Sequence, residues 1–294
     1  MTRRTAMTLL AGSMAHAATR LPVNKNVRWA LGSNLWNSFP QVPFTDILDI
    51  MRDTGFIGVR VTQFPQILDK YKITAAELEK EASKRNVHII TISFNGPAHD
   101  PAQRASVIAN AKKAMGFLKM FGASRLVVFS PSRSGGVSDE KFKTMCECYN
   151  QLGEVAGEMG FRAGLHNHLG QMVQDTAEVD RCMEMTDPKL FSFSPDTAHL
   201  FLAKVPVAET LQKYKDRLML LDYKDAKFAS TNFRDNIFDL GDGDIDFPAC
   251  HRVLKSIGYK GWICVDLDTA RKGPRASYER CGAYVVNKLE SIYV

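Results

Sequence analysis

The chain has 294 residues, is 45% hydrophobic and carries a formal net charge of +6. That is core enough for one large α/β domain or two small ones, and the positive charges are dispersed, without the basic run of a nucleic-acid-binding face. No apolar stretch reaches the length of about 18 residues that a membrane span needs, so neither nucleic acid nor membrane is an expected partner.

At the N-terminus, Arg3 and Arg4 precede a short, weakly apolar stretch, and Ala15-His16-Ala17 places small residues around a cleavage position after Ala17. Residues 1–17 are predicted to be a twin-arginine-type signal peptide, which makes the mature protein periplasmic or secreted. Residues 18–27 form an N-terminal segment. From about residue 28 the chain alternates short apolar runs with segments of helical apolar spacing. Strands are predicted over 28–35, 58–62, 88–94, 125–130, 162–166, 191–195, 219–223 and 262–267. Helices are predicted over 44–54, 75–85, 101–121, 139–159, 176–185, 206–214, 247–257 and 275–292. Gly55, Gly122, Gly160 and Gly258 mark helix ends just before the next strand.

Eight strands and eight helices in alternation over residues 28–294 fit a single (β/α)8 TIM barrel. A doubly wound sheet would show a Gly-rich phosphate turn after its first strand, where this chain has GSNLWNS. The six cysteines (Cys146, Cys148, Cys182, Cys250, Cys264 and Cys281) include no CxxC pair and are expected as buried free thiols.

In such a barrel the reactive groups sit at the C-terminal ends of the strands. The last four strands end in LHNHLGQ, SPDTAH, LDYKDA and WICVDLD, which bring His166, Asp196, Asp222 and Asp266 to one mouth. A lone Asp at a strand end is commonly a helix cap. Three carboxylates and an imidazole on four adjacent strands instead suggest a site for a hard divalent cation. His199 and Lys224 are placed as acid or base partners, with a supporting hydrogen bond and an ion pair as their structural alternatives. Asp266 is a further base candidate, weakened as one if it is also a ligand. His168, two residues beyond His166, shares its side of the strand. It is a candidate substrate contact, together with Asn34 and Trp36 after the first strand, Arg60 and Gln63 near the end of the second, and His99 after the third. Core packing competes for Trp36, and a paired rim charge for Arg60. In GDGDIDF (241–247) the alternating aspartates suggest a tight turn whose Asp246 caps the next helix; no Glu follows at the spacing a calcium loop requires.

These segments also carry a resemblance. Residues 28–285 resemble the sugar phosphate isomerase/epimerase superfamily of xylose-isomerase-like barrels, most nearly the inosose (2-keto-myo-inositol) dehydratase type. That type carries HHHxGTxVQ, FDTGH, HxHLKD, GDGDIDF and GYxGWxVVE. Here His166–Gln174 reads HNHLGQMVQ, Pro195–His199 reads PDTAH, Leu220–Asp225 reads LLDYKD, GDGDIDF is intact, and Gly258–Asp266 reads GYKGWICVD. The resemblance implies a metal held by Glu, Asp, His and Glu on the last four strands, positions that here are His166, Asp196, Asp222 and Asp266. Asp222 in place of His turns the preference towards Mg²⁺, Mn²⁺ or Ca²⁺ and away from Zn²⁺, with Co²⁺ also a candidate. Asp266 in place of Glu is one methylene shorter. The implied activity is isomerisation, epimerisation or dehydration of a keto-sugar or cyclitol through an enediolate. A different class of function, a metal-free barrel that binds a sugar or a partner without catalysis, is favoured by those same two changes. The sequence leaves room for a homo-oligomer.

Overall fold

The computed structural model describes residue 21, residues 24–62 and residues 64–294. The predicted signal peptide and Gln63 lie outside them. Eight parallel strands carry the fold: β1 (Val27–Gly32), β2 (Gly58–Val61), β3 (His88–Phe94), β4 (Arg125–Phe129), β5 (Arg162–His166), β6 (Phe191–Phe193), β7 (Leu221–Tyr223) and, after a small hairpin, β10 (Gly261–Val265). The sheet runs β6-β5-β4-β3-β2-β1-β10-β7. Single bridges between Phe193 and Leu218 and between Asp196 and Asp222 join its two edges. Met219 N–H donates to Phe193 O and Asp222 N–H to Pro195 O, both at 2.9 Å. The sheet is thereby closed into the predicted barrel.

Alternation along the strands divides the core in two. Outward residues such as Trp29, Leu31, Val59 and Ile89 pack against the helices. Inward residues, namely Ala30, Ile90, Val127, Leu220, Trp262 and Cys264, fill the lumen. Gly58 leaves room there for Trp262, because a Cβ would lie 2.6 Å from its ring.

The helices begin where side-chain caps are available. Thr74 and Glu77 form a capping box before Ala75–Lys84, and Asp175 and Glu178 another before Thr176–Met185. Ser138 caps Asp139–Glu158, and Asp246 caps Phe247–Ser256 by accepting from Ala249 N–H at 2.8 Å.

Several local features differ from the sequence expectation, among them a short helix, Gln66–Tyr71, between β2 and the helix Ala75–Lys84. A one-turn helix, Thr197–Leu202, follows Asp196 directly, before the helix Val207–Lys213. Residues 275–292 divide into an α-helix, Pro274–Tyr284, and a π-turn, Val285–Leu289. The segment after β7 forms an antiparallel hairpin, β8 (Asp225–Ala226) with β9 (Ile237–Phe238). Both carboxylate oxygens of Asp225 hold the GDGDIDF turn, accepting from Gly241 and Gly243 N–H at 2.8 and 3.0 Å and from Ile245 N–H at 3.3 Å.

Candidate functional site

The inward stripe that fills the lumen continues past the strand ends, and there it turns polar. β5 ends in His166, with His168 two residues on. Asp196 follows β6, Asp222 lies in β7 with Lys224 just beyond, and Asp266 and Asp268 follow β10. β2 contributes Arg60. Arg60, His166, Asp196, His199, Asp222, Lys224 and Asp266 are all at most 2% exposed. A cavity of about 630 Å³ opens above them, lined by Asn34, Arg60, Ser93, Asn95, Phe129, His168, Gln171, Lys224 and Asp266 among others.

Buried charges survive only when paired, and here the pairing is dense. Arg60 Nη2 lies 3.0 Å from Asp266 Oδ2, and its Nε 3.5 Å from Asp222 Oδ1. Lys224 Nζ lies 2.6 Å from Asp266, 3.0 Å from Asp268 and 3.2 Å from Asp196. Burial works against charge on both cations, but the carboxylates outweigh it and hold Lys224 and Arg60 protonated, well above their ordinary values. Lys224 is therefore a fixed cation and hydrogen-bond donor, not a base. Burial likewise opposes ionisation of Asp266, yet Lys224 and Arg60 hold its carboxyl below the usual range. Asp222 is pushed up to about 6 by burial, only partly offset by Arg60. Burial also raises Asp196.

The histidines are neutral. Burial lowers His166 to about 3 and His168 to about 4, and takes His199 well below its ordinary value. Their hydrogen bonds assign the ring protons. His168 Nδ1 lies 2.6 Å from the carbonyl of Leu169 and must donate to it, which leaves Nε2 with the lone pair. His199 Nδ1 accepts from Leu169 N–H at 3.3 Å, so its proton sits on Nε2. His166 Nδ1 is 3.0 Å from Asp222 Oδ2 but out of line for a hydrogen bond. Its ring packs on Phe129 at 4.1 Å.

His166 Nε2 and His199 Nε2 each lie 3.9 Å from Asp196 Oδ2, and one donor atom from each residue falls within 4.8 Å of the others. His199 Nε2 is buried without a hydrogen-bond partner, and Asp196 Oδ2 has none in line, its nearest polar neighbour being the Lys224 ammonium at 3.2 Å. Ion–donor bonds of about 2.1 Å set donors about 3 to 3.5 Å apart, so a small contraction closes the set on an ion. The charge balance agrees. The carboxylates of Asp196, Asp222, Asp266 and Asp268 (four negative charges) minus Arg60 and Lys224 (two positive) leave two negative charges. The residues fit a divalent ion held by His166, Asp196 and His199. Ligation through His199 Nε2 costs the bond from Leu169, because the ring proton must move to Nδ1. Asp222 and Asp266, also expected as ligands, face Arg60 and Lys224.

Two expected substrate contacts lie elsewhere. Trp36 is 1% exposed and packs between Phe39 and Tyr278, away from the mouth, because the short helix Asn34–Ser38 turns its ring into the core. His99 lines a separate hollow with Asp100, Pro101, Glu140, Lys141 and Thr144. Asn34, Arg60 and His168 do line the cavity, and the Asn34 amide donates to Asp268. Sequence reasoning misses Asp268, Ser93, Asn95, Gln171 and Phe233. Asp268 carried a signal, since it stands two residues past Asp266 as His168 does past His166. Phe233 carried a weaker one, standing in a polar and aromatic stretch (228–239) that follows the seventh strand; this loop between β8 and β9 lays its ring flat on His199, with centroids 4.7 Å apart.

A closed parallel barrel with a buried cluster of histidines, carboxylates, an arginine and a lysine at its C-terminal mouth has the architecture of a TIM-barrel enzyme site. The Xylose isomerase-like TIM barrel family model matches residues 41–281, and the chain belongs to that family. An inosose dehydratase of Halalkalibacterium halodurans is 32% identical over 243 residues, covering 73% of this chain and 80% of that one. One of Bacillus velezensis is 36% identical over 144 residues, and this match spans 48% of the relative's length, about half. Among solved structures, the IolI protein with a bound zinc atom superposes with a TM-score of 0.77 at 14% identity, covering 90% of this chain and 99% of that one. An L-ribulose 3-epimerase gives 0.72 at 15% identity, covering 90% and 95%. At these identities the structural likeness speaks for the fold.

Proposed function

We propose that the protein is a divalent-metal-assisted enzyme that isomerises, epimerises or dehydrates a keto-sugar or cyclitol. The observation that carries this reading is the buried cluster of His166, Asp196, His199 and Lys224 beneath a polar cavity. The relatives named inosose dehydratase support the cyclitol version. His166, Asp196 and His199 would hold the ion, which supplies Lewis acidity towards a carbonyl oxygen. His168 Nε2, unprotonated and facing the cavity, takes the proton α to that carbonyl. Lys224 donates to the oxygen on which negative charge develops, a role its permanent charge suits. Asn34, Ser93, Asn95 and Gln171 offer neutral donors and acceptors for hydroxyl groups. Phe233 covers His199 and keeps water from it.

Elemental mass spectrometry of the purified protein, with Asp196→Ala alongside, tests the reading. About one Mg, Mn, Co or Zn per chain, lost in the variant, supports it, as does deuterium exchange into a keto-sugar or cyclitol from D₂O. A protein that stays empty after incubation with each ion sinks it. One observation favours the second reading, a sugar-binding barrel without metal: Arg60 and Lys224 already neutralise part of the carboxylate cluster. Export through the Arg3–Arg4 segment is part of the proposal. Replacing both arginines with lysine is expected to retain the protein in the cytoplasmic fraction.

A further inference from the structure

The inward stripe has a second polar end. β3, β4 and β5 start with a cationic or titratable residue on the lumen side, and β1 carries one at its second position, each two residues before the apolar layer: Arg28 before Ala30, His88 before Ile90, Arg125 before Val127, and Arg162 before Gly164. The strands are parallel, so all four gather at the N-terminal mouth of the barrel, opposite the catalytic cluster. Arg125 and Arg162 are direct partners in the β4–β5 register. Arg28 lies over the Trp262 ring at 4.3 Å, and His88 packs on the same ring at 6.0 Å.

No carboxylate among the described residues lies within ion-pair distance of these arginines. Among the described residues, Arg28, Arg125 and Arg162 form no ion pair, and the only acidic group acting on Arg28 or Arg162 is the Tyr259 hydroxyl. Burial and then the charge of Arg125 lower both. Arg162 Nη2 donates to Ser192 Oγ at 2.9 Å, and Arg125 Nε is buried with no acceptor. Like charges set side by side on neighbouring strands are destabilising unless something negative lies between them. His88, lowered by burial and by Arg28, adds a neutral ring.

We propose that Arg28, Arg125 and Arg162 form a binding site for a tetrahedral oxyanion of the phosphate class. A guanidinium fork matches such an oxyanion with paired N–H donors, and three forks around one mouth suit a dianion better than a single carboxylate. The Ser192 hydroxyl, already held by Arg162, and the buried Trp262 ring beneath Arg28 form the floor. The buried layer of Ala30, Ile90, Val127, Leu220 and Cys264 separates this site from the catalytic mouth, so its occupant is not the substrate.

The test is inorganic phosphate titrated into the purified full chain at pH 8, in chloride buffer of matched ionic strength. Melting temperature and calorimetric binding are the readouts, with glycerol 3-phosphate as a second probe. The expected result is a saturable rise in melting temperature and binding weakened about tenfold or more by Arg125→Gln or Arg162→Gln. Tighter binding of the ester would assign the site to a phosphomonoester, and tighter binding of phosphate to the free ion. Without phosphate, Arg162→Gln should melt no lower than the parent, because a like-charge contact is removed; an arginine with a purely structural role would lower the melting temperature. Lys224→Gln should leave phosphate binding unchanged. No rise beyond the chloride control, loss of binding in Lys224→Gln, or a lower phosphate-free melting temperature in Arg162→Gln would each overturn the proposal.

Discussion

Arg60 shows how a single residue reorganises the site. Its guanidinium is 1% exposed and bridges Asp222 and Asp266, two of the four positions at which sequence reasoning expects metal ligands. Removing one partner from a buried ionic cluster strands the others, which costs about 3–5 kcal/mol. Arg60→Met should lose that much stability in urea denaturation, and a loss below about 1 kcal/mol would show that water reaches the carboxylates. His251 isolates a second residue-scale effect away from the site. It stacks on Trp29 at 5.8 Å and contacts the Tyr223 hydroxyl through Nδ1. Burial lowers it to about 4. A histidine whose folded pKa lies below its unfolded value of about 6.5 leaves the unfolded chain binding more protons. Its stabilising contribution is thus full above pH 6.5 and is lost as pH falls towards 4, by about 3 kcal/mol. Urea midpoints measured across that range should fall more steeply for the parent than for His251→Phe. Parallel curves would show that the ring does not take up the proton on unfolding.

At the scale of elements, the turn 241–247 is legible as a turn, and Asp246 takes the capping position its sequence context suggests. What holds the turn was not legible. Asp225, on β8, accepts from the backbone N–H groups of Gly241, Gly243 and Ile245 as well as from Ala226. A Cβ at Gly243 would collide with that carboxylate, which explains the glycine. Asp225→Ala should cost about 3 kcal/mol or more, because charge-assisted hydrogen bonds to several buried donors are lost together. Hydrogen exchange should show the Gly241 and Gly243 amides losing protection first. Unchanged protection at both would mean that β9 and the following helix hold the turn unaided.

For the whole molecule, the barrel is only as closed as its seam. β1 and β10 share a five-residue register, whereas β6 and β7 are three residues long and joined by isolated bridges. Local opening should begin where the ladder is shortest. The amides of Met219 and Asp222 are therefore expected to exchange faster than those of the β1–β10 ladder in exchange mass spectrometry. Equal protection would make the seam as cooperative as the rest of the sheet. Six buried free thiols and no disulfide agree with the cysteine spacing. No helix among the described residues is long and apolar enough to cross a membrane.

The alternation of short apolar runs with helical spacing was enough to determine the barrel. A parallel strand must alternate with a covering helix, and both periods are written locally in the chain. The same local logic placed His166, Asp196, Asp222 and Asp266 near one mouth, because strand ends converge whatever the details. Tertiary structure alone decided what those groups face. Arg60 meets Asp222 and Asp266 from 162 and 206 residues away in sequence, and Phe233 reaches His199 through a loop without regular periodicity. Whether a buried carboxylate faces an ion, a proton or a guanidinium is settled over a few ångströms of side-chain approach, and spacing along the chain does not encode that distance.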